Sequence, residues 1–219
     1  VSYTTHLQAA MDFFFRLPAG QRPWVTAMDE HGLGLVQTSS DRLQGRKLFL
    51  WGQSAGGRHW QEFLAEPGIA YLEIQAGLAR TQAEHLPMPA GAEWSWQEAY
   101  GLLQVDPRVV HGADWGAACR AVERGLETLI PRAALAERLA MGEALARQAP
   151  EAMLQLGSGW GALEEVRRQV AGEAPLASPG TPFLSASLGP EQAPWQALLQ
   201  TGSYPAEDPA RGPASFIVA

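Results

Sequence analysis

The spacing of apolar residues changes once along the chain, near Pro107, and this change most constrains the fold. Before it, short stretches alternate apolar and polar residues, which is the period of a β-strand with one buried face. From Asp114 to Ala171, apolar residues instead recur three and four positions apart, as on an amphipathic helix. We therefore predict an α+β protein in which a sheet-forming part precedes a helical part.

The first part is predicted to be a predominantly antiparallel sheet over Asp12 to Val105, because turn-forming residues separate its strand-like stretches. Gly32 is predicted to supply the positive φ of a hairpin turn. The short segment HWQEFL (59–64) is predicted to be a helical turn. The predicted strands are residues 13–17, 24–29, 32–39, 46–52, 70–82 and 92–100.

The second part has clear helix signals. Asp114 is a plausible N-cap, Pro131 opens a second periodic stretch and Pro150 breaks it. After Gly172 the chain is rich in Pro, Gly, Ser and Ala, and we expect a tail draped over the body, with one short helix in 190–200 and an extended end at 214–219. The predicted division is a β-sandwich at 1–105, a helical segment at 106–172 and the tail at 173–219.

Composition and spacing argue against several classes of function. The formal charge of -7 disfavours a nucleic-acid partner, because binding a phosphate backbone needs clustered Lys and Arg. Cys119 is the only cysteine and His59, His85 and His111 are far apart, so we predict neither a metal site nor a cofactor. No apolar run approaches the roughly 18 residues of a membrane helix, and the start VSYTTHLQ lacks signal-peptide features. We expect no membrane partner and a cytoplasmic location.

The stretch from Arg46 to Tyr100 mixes flat aromatic residues with planar polar ones. This mixture suits a carbohydrate, because a sugar offers a C–H face for stacking and hydroxyls for amide, carboxylate or guanidinium partners. Alternation places Glu73 and Gln75 on a polar strand face, with Leu72 and Ile74 on the other face. A carboxyl group beside an aromatic ring, if buried, is suited to acid or base work. Ordinary core tryptophans and a solvated strand face are the alternatives. The candidate ligand-binding residues are Trp51, Tyr71, Gln75, Arg80, Gln82, Glu84 and Trp96, with Glu73 as the candidate catalytic residue.

Three sequence segments resemble a known family: GRKLFLWG at 45–52, EIQAGLARTQ at 73–82 and WSWQEAYG at 94–101. Through them, the block from about Asp12 to Leu103 resembles the later half of a sugar-binding domain. That domain occurs in large, uncharacterised bacterial proteins that join a mutarotase-like β-supersandwich to tetratricopeptide-type helices. The helical stretch and PWQALLQTG resemble the segments on the C-terminal side of this domain in those proteins.

The resemblance implies half of a galactose-mutarotase-like supersandwich, followed by a helical segment and an extended tail. In mutarotase-like folds a carboxylate on a concave-face strand is the base beside the anomeric centre, with His and Arg as partners, and Glu73 best fits it. The usual histidine would lie upstream of this chain, or another group takes its role. Because a whole supersandwich needs more than twice this β region, we expect a C-terminal fragment completed by the missing N-terminal part of its parent or by a second copy.

Two main functions are therefore open. The first is a carbohydrate recognition or processing module, epimerase-like or glycosidase-like if it is an enzyme. The second is a noncatalytic structural or assembly domain whose aromatic residues fill its core. A protein-binding role for the helices is a third alternative. The first two differ in whether the polar face around Glu73 is open and whether Trp51 and Trp96 are exposed there.

Overall fold

The computed structural model describes residues 4–206. In this part the protein is α+β, with two antiparallel sheets of three strands each and six α-helices, as the change of periodicity predicts. The strands are β1 (Met11–Phe14), β2 (Trp24–Met28), β3 (Leu33–Ser39), β4 (Gly45–Leu50), β5 (Leu72–Gly77) and β6 (Glu98–Gln104). The helices are α1 (Ala55–Leu64), α2 (Pro107–Val110), α3 (Trp115–Leu129), α4 (Arg132–Ala146), α5 (Trp160–Ala171) and α6 (Ala193–Thr201).

The strand order is β1-β4-β5 in one sheet and β2-β3-β6 in the other. β2 and β3 form the predicted hairpin, and Gly32 in its turn has φ of 74°. A Cβ at this glycine would lie 2.1 Å from the carbonyl oxygen of Val105, so both the φ and the close approach require glycine. The Asp29 carboxylate accepts hydrogen bonds from the backbone N–H groups of His31 and Leu33, which holds the turn closed.

Two of the six predicted strands differ markedly from the structure, whereas the ends of the other four differ by at most three residues. β5 ends at Gly77 because β4, its hydrogen-bonded neighbour in the sheet, begins at the paired Gly45. Residues 78–82 therefore have no strand to pair with. β6 begins at Glu98, opposite the last residue of β3, and residues 92–97 of the predicted strand form a loop. The segment HWQEFL belongs to helix α1, which confirms a helical conformation there.

Helix α3 forms the core with one face of the β2-β3-β6 sheet. Its N-cap is Asp114, as predicted, whose side chain accepts a hydrogen bond of 2.9 Å from the backbone N–H of Ala117. Val122 and Leu126, four residues apart on the helix, pack with residues of the sheet and of α2. The buried cluster consists of Val36, Leu103, Val110, Val122 and Leu126.

The two sheets approach each other on the opposite face of β3. The guanidinium of Arg46 in β4 donates a hydrogen bond of 2.5 Å to the hydroxyl of Ser39 in β3. Strand β2 also contacts both β4 and β5. The apolar side chains Leu48 and Leu50, on the same face of β4 as Arg46, are buried.

Contacts divide the described chain into two compact units, with the boundary between Gly142 and Glu143. The second unit contains α5 and α6, joined through Gln192, whose amide accepts from the backbone N–H of Gly189 and donates to the carbonyl of Ser158. The predicted short helix of the tail is confirmed as α6. The predicted extended end at 214–219 lies outside the described residues, and the three-part division at 105 and 172 stays a prediction. None of the helices in residues 4–206 has the length and apolar character needed to cross a membrane.

Candidate functional site

Glu73 lies on a strand face built from two cross-strand rows. The first row runs from Asp12 through Phe49 to Glu73. The second runs from Phe14 through Lys47 to Gln75. Residues directly opposite in neighbouring strands share a face of the sheet. We call this surface the Glu73 face; it consists of Asp12, Phe14, Lys47, Phe49, Glu73 and Gln75.

The opposite face of the same sheet is the apolar one. Leu72 and Ile74 of β5 pair with the buried Leu50 and Leu48 of β4. This arrangement follows from the alternation in β5, because successive side chains point to opposite sides of a strand. The sequence prediction that Glu73 and Gln75 share a face, with Leu72 and Ile74 on the other, is confirmed.

Lys47 lies at the centre of the Glu73 face. Its ammonium group is 2.6 Å from a carboxylate oxygen of Asp12 and donates a hydrogen bond of 2.9 Å to the side-chain carbonyl of Gln82. It also lies 5.8 Å from the ring centre of Phe14 and 5.3 Å from that of Phe49. Only 8% of Lys47 is exposed, so its position is fixed by contacts on several sides.

A chain of amide hydrogen bonds leads from Lys47 to Glu73. The Gln82 side-chain amide donates to the Gln75 carbonyl oxygen at 3.2 Å. The Gln75 amide then donates to the carboxylate of Glu73 at 3.4 Å. Because Gln75 accepts at one end and donates at the other, the orientation of its amide is defined. The loop after β5 therefore returns Gln82 to the same face as Glu73.

Aromatic rings extend this surface towards helix α1. Trp51 follows β4 directly and meets Phe49 edge-on, with ring centres 4.7 Å apart and an angle of 89°. Trp60 of α1 stacks on Trp51 at 5.4 Å, and Phe63 meets Trp60 edge-on at 5.8 Å. Trp60 and Phe63 are exposed, whereas Trp51 is half-buried and its indole N–H is buried without a hydrogen-bond partner. We call Phe49, Trp51, Trp60 and Phe63 the aromatic series.

The remaining predicted site residues lie at different distances from this face. Tyr71 is half-buried immediately before β5, two positions from Glu73. Arg80 and Glu84 are exposed in the following loop, where the Glu84 carboxylate accepts a hydrogen bond of 3.0 Å from the backbone N–H of Arg80. Trp96 precedes a strand of the other sheet, and its indole donates to Glu98 at 3.2 Å. The structure thus groups Glu73, Gln75, Gln82 and Trp51 and leaves Trp96 elsewhere.

Sequence reasoning missed four members of the Glu73 face, Asp12, Phe14, Lys47 and Phe49. It also missed Trp60 and Phe63 of the aromatic series. One signal was present, because Lys47 is the only lysine in a chain with fifteen arginines, and it alternates with Phe49 and Trp51 along one strand. Asp12 and Trp60 could not be assigned without the pairing of β1 with β4 and the position of α1.

Within residues 4–206, no group of three or more His, Cys, Asp or Glu side chains is placed to hold a metal ion. Comparison of the chain with protein-family models, with curated proteins and with solved structures gave no match.

Proposed function

We propose that this chain is a carbohydrate-binding module and that its Glu73 face binds the sugar. One observation carries the proposal: the carboxylate of Glu73 and the amide of Gln75 lie on one strand face with Phe49, which is continued by the half-buried Trp51. Aromatic rings suit the C–H face of a pyranose, and the carboxylate and amide suit its hydroxyls. Neighbouring strands of a sheet lie about 4.8 Å apart, so two of them match the footprint of one sugar ring.

The proposal includes the mutarotase-like relationship and a sandwich of the two sheets. The contact of Arg46 with Ser39 and the position of β2 beside β4 and β5 support such packing. On that relationship Glu73 is the base near the anomeric carbon, and turnover, epimerase-like or glycosidase-like, belongs to the complete parent protein. In this chain alone the expected activity is binding, with Gln75 and Gln82 as hydroxyl partners.

Calorimetric titration of the chain with D-glucose, D-galactose and their methyl glycosides tests the proposal. We expect millimolar binding of at least one sugar and a loss of about tenfold in affinity in Glu73→Gln, because a hydrogen bond to a charged group is removed. Glu66→Gln, an exposed site on the loop after α1, is the matched control and should bind as the wild type does. Absence of binding to every sugar, or equal affinity in Glu73→Gln, would contradict the proposal.

The alternative function is a noncatalytic assembly domain, and a different surface favours it. The face of the β2-β3-β6 sheet away from α3 contacts the other sheet at Ser39, but its far end is exposed. There Leu35 and Leu102 are exposed cross-strand neighbours, and Leu33 is also exposed. Adjacent exposed leucines on a sheet are typical of a surface that another protein surface covers. The proposed cover is the missing N-terminal part of the parent protein or a second copy of the chain. Light scattering that finds a monomer at every concentration would exclude the second copy.

A further inference from the structure

A second polar cluster lies on the other sheet, around Glu98 at the start of β6. Its carboxylate accepts three side-chain hydrogen bonds: 2.7 Å from the hydroxyl of Tyr100, 3.0 Å from the amide of Gln37 and 3.2 Å from the indole of Trp96. Donors reach both carboxylate oxygens, so the position of the group is fixed. We call the residues Gln37, Arg46, Trp96, Glu98 and Tyr100 the Glu98 site.

The inner side of the Glu98 site is buried and rich in polar groups. Gln37 and Arg46 are almost completely buried, and the Arg46 guanidinium donates to the backbone carbonyls of Leu43 and Gly45 and to Ser39. Burial lowers the pKa of Arg46 to about 10, while the nearby charge of Glu98 opposes that decrease. The side-chain oxygen of Gln37 and the Nε of Arg46 are buried without hydrogen-bond partners.

The outer side consists of two exposed aromatic residues. Trp96 is 39% exposed and Tyr100 is 64% exposed, although the polar atom of each is bound to Glu98. The hydrogen bond to Glu98 raises the pKa of the Tyr100 hydroxyl, which therefore stays a donor at neutral pH. A fixed carboxylate is thus flanked by two exposed rings, the combination that also supports sugar binding at the Glu73 face.

Aromatic rings beside a carboxylate attract ammonium cations as well as sugars. The charge next to the carboxylate therefore decides between a cationic ligand and a neutral sugar. The buried guanidinium of Arg46 offsets the charge of Glu98. This positive group disfavours a cationic ligand and leaves hydrogen bonding and stacking as the available interactions.

We propose that the Glu98 site is a second carbohydrate subsite, in which Glu98 accepts a sugar hydroxyl and Trp96 and Tyr100 provide the stacking surface. It takes a neutral hexose unit and is separate from the Glu73 face. Arg46, which contacts Ser39, lies on the face of β4 opposite to Phe49, the cross-strand partner of Glu73. This inference rests on the proposed carbohydrate function, because it assigns a second contact of the same ligand class.

Two-dimensional NMR of the ¹⁵N-labelled full chain tests it, because each tryptophan indole N–H gives its own signal. The Trp96 signal is assigned by its disappearance in Trp96→Phe. Titration with D-glucose and D-galactose should shift this signal, whereas tetramethylammonium chloride should not. Glu98→Gln and Trp96→Ala should each weaken the affinity reported by Tyr100 and its neighbours about tenfold, and Glu137→Gln, on the exposed side of α4, should not.

If Glu98→Gln lowers the melting temperature strongly, Tyr100→Phe is the second variant, because it removes one hydroxyl from an exposed ring. It should weaken binding severalfold at unchanged stability. Sugar-induced shifts that disappear only in Glu73→Gln, with the Trp96 signal unmoved, would contradict the second subsite and leave the proposed function intact. No shift anywhere with either sugar would contradict both, and a response to tetramethylammonium alone would replace the sugar with a cationic ligand.

Discussion

Among single residues, Lys47 has the most contacts to lose on the Glu73 face. Its ammonium is nearly buried, while the Asp12 carboxylate that pairs with it at 2.6 Å is about two-fifths exposed. Asp12→Asn leaves a buried charge without its counter-ion. We expect a loss of about 1 to 2 kcal/mol in unfolding free energy, less than for a fully buried pair because water screens the carboxylate. Urea denaturation followed by fluorescence measures this change.

The same pair allows a sharper comparison. Lys47→Met removes the charge but keeps an unbranched apolar side chain between the rings of Phe14 and Phe49. It should therefore cost less than Asp12→Asn, and the double variant should be no less stable than Asp12→Asn alone. A Lys47→Met variant that is the least stable of the three would show that the ammonium has a further, unidentified partner.

A pH prediction concerns Glu164 in α5. Hydrogen bonds, first from Arg167 and then from Arg168, lower the pKa of its carboxyl group to about 2 from an ordinary value of 4.5. A carboxyl group with a lowered pKa in the folded state stabilises that state fully above its unfolded value and loses this contribution as pH falls. The melting temperature should thus decrease between about pH 4.5 and 2 in the wild type.

Glu164→Gln is the variant that isolates this effect, because it keeps the size of the side chain and removes the titrating group. Its melting temperature should change less over the same pH interval than that of the wild type. Glu191→Gln, next to Gln192 on the approach to α6, is the control and should retain the full decrease. Equal pH profiles for the wild type and Glu164→Gln would exclude a stabilising role for this ion pair.

The positions of some of these residues could be predicted from the sequence, and those of others could not. Alternation along one strand is local, so it placed Glu73 and Gln75 on a common face correctly. The contact between Lys47 and Gln82 joins positions 35 residues apart, through a loop with no periodic pattern. The Glu98 site likewise combines three strands, and no spacing in one chain segment indicates that Gln37, Arg46 and Glu98 meet.

Two strand glycines test how closely neighbouring strands of the β2-β3-β6 sheet approach each other. A Cβ on Gly34 in β3 would lie 1.8 Å from the backbone carbonyl oxygen of Ala27 in β2. On Gly101 in β6, the same atom would meet nothing within 4 Å. Gly34→Ala should therefore cost about 1 to 3 kcal/mol, since backbone atoms must move, whereas Gly101→Ala should be neutral or slightly stabilising.

Equilibrium unfolding in urea compares the two variants under the same conditions. The two glycines lie on neighbouring strands of one sheet, so propensity alone predicts similar effects for both. Equal stabilities would mean that β2 and β3 can separate at Gly34 without cost, against the register of the hairpin.

Element ends, in contrast, depended on partners that the sequence does not show. Local signals were sufficient where a side chain caps its own helix, as Asp114 does for α3, or where a turn needs a positive φ, as at Gly32. The last residue of β5 lies opposite the first residue of β4, and the first residue of β6 lies opposite the last residue of β3. Neither limit is visible in the alternation of residues 70–82 or 92–100.

For the molecule as a whole, the change of period near Pro107 was enough to predict the α+β class. It could not predict which strands would pair, because β1 joins the distant β4 and not the neighbouring β2, and β6 joins β3. Such non-local pairing decides which residues share a face. It therefore also decides that two candidates for one sugar site are separated: Glu73 lies on one sheet, whereas Trp96 precedes a strand of the other.

Net charge and the exposed leucines together give a prediction for association of whole chains. The formal charge of -7 makes copies repel each other, and this repulsion is long-ranged at low salt, where the Debye length is about 30 Å at 0.01 M. Leu35 and Leu102 offer an apolar surface that favours contact, with 68% of Leu102 exposed. If the exposed leucines of the β2-β3-β6 sheet bind a second copy, the mass measured by light scattering should increase when salt is raised from about 0.01 M to 0.15 M, because screening shortens the repulsion to about 8 Å.

Two variants with the same added charge distinguish the effect of the exposed leucines from that of the overall charge repulsion. Leu102→Glu places a carboxylate among these exposed leucines and should remain monomeric at both salt concentrations. Met141→Glu adds the same charge on an exposed position of α4 and should associate almost as the wild type does. A mass that does not respond to salt, or an equal loss of association in both variants, would rule out this face as an interface between copies and would leave a different polypeptide as its proposed partner.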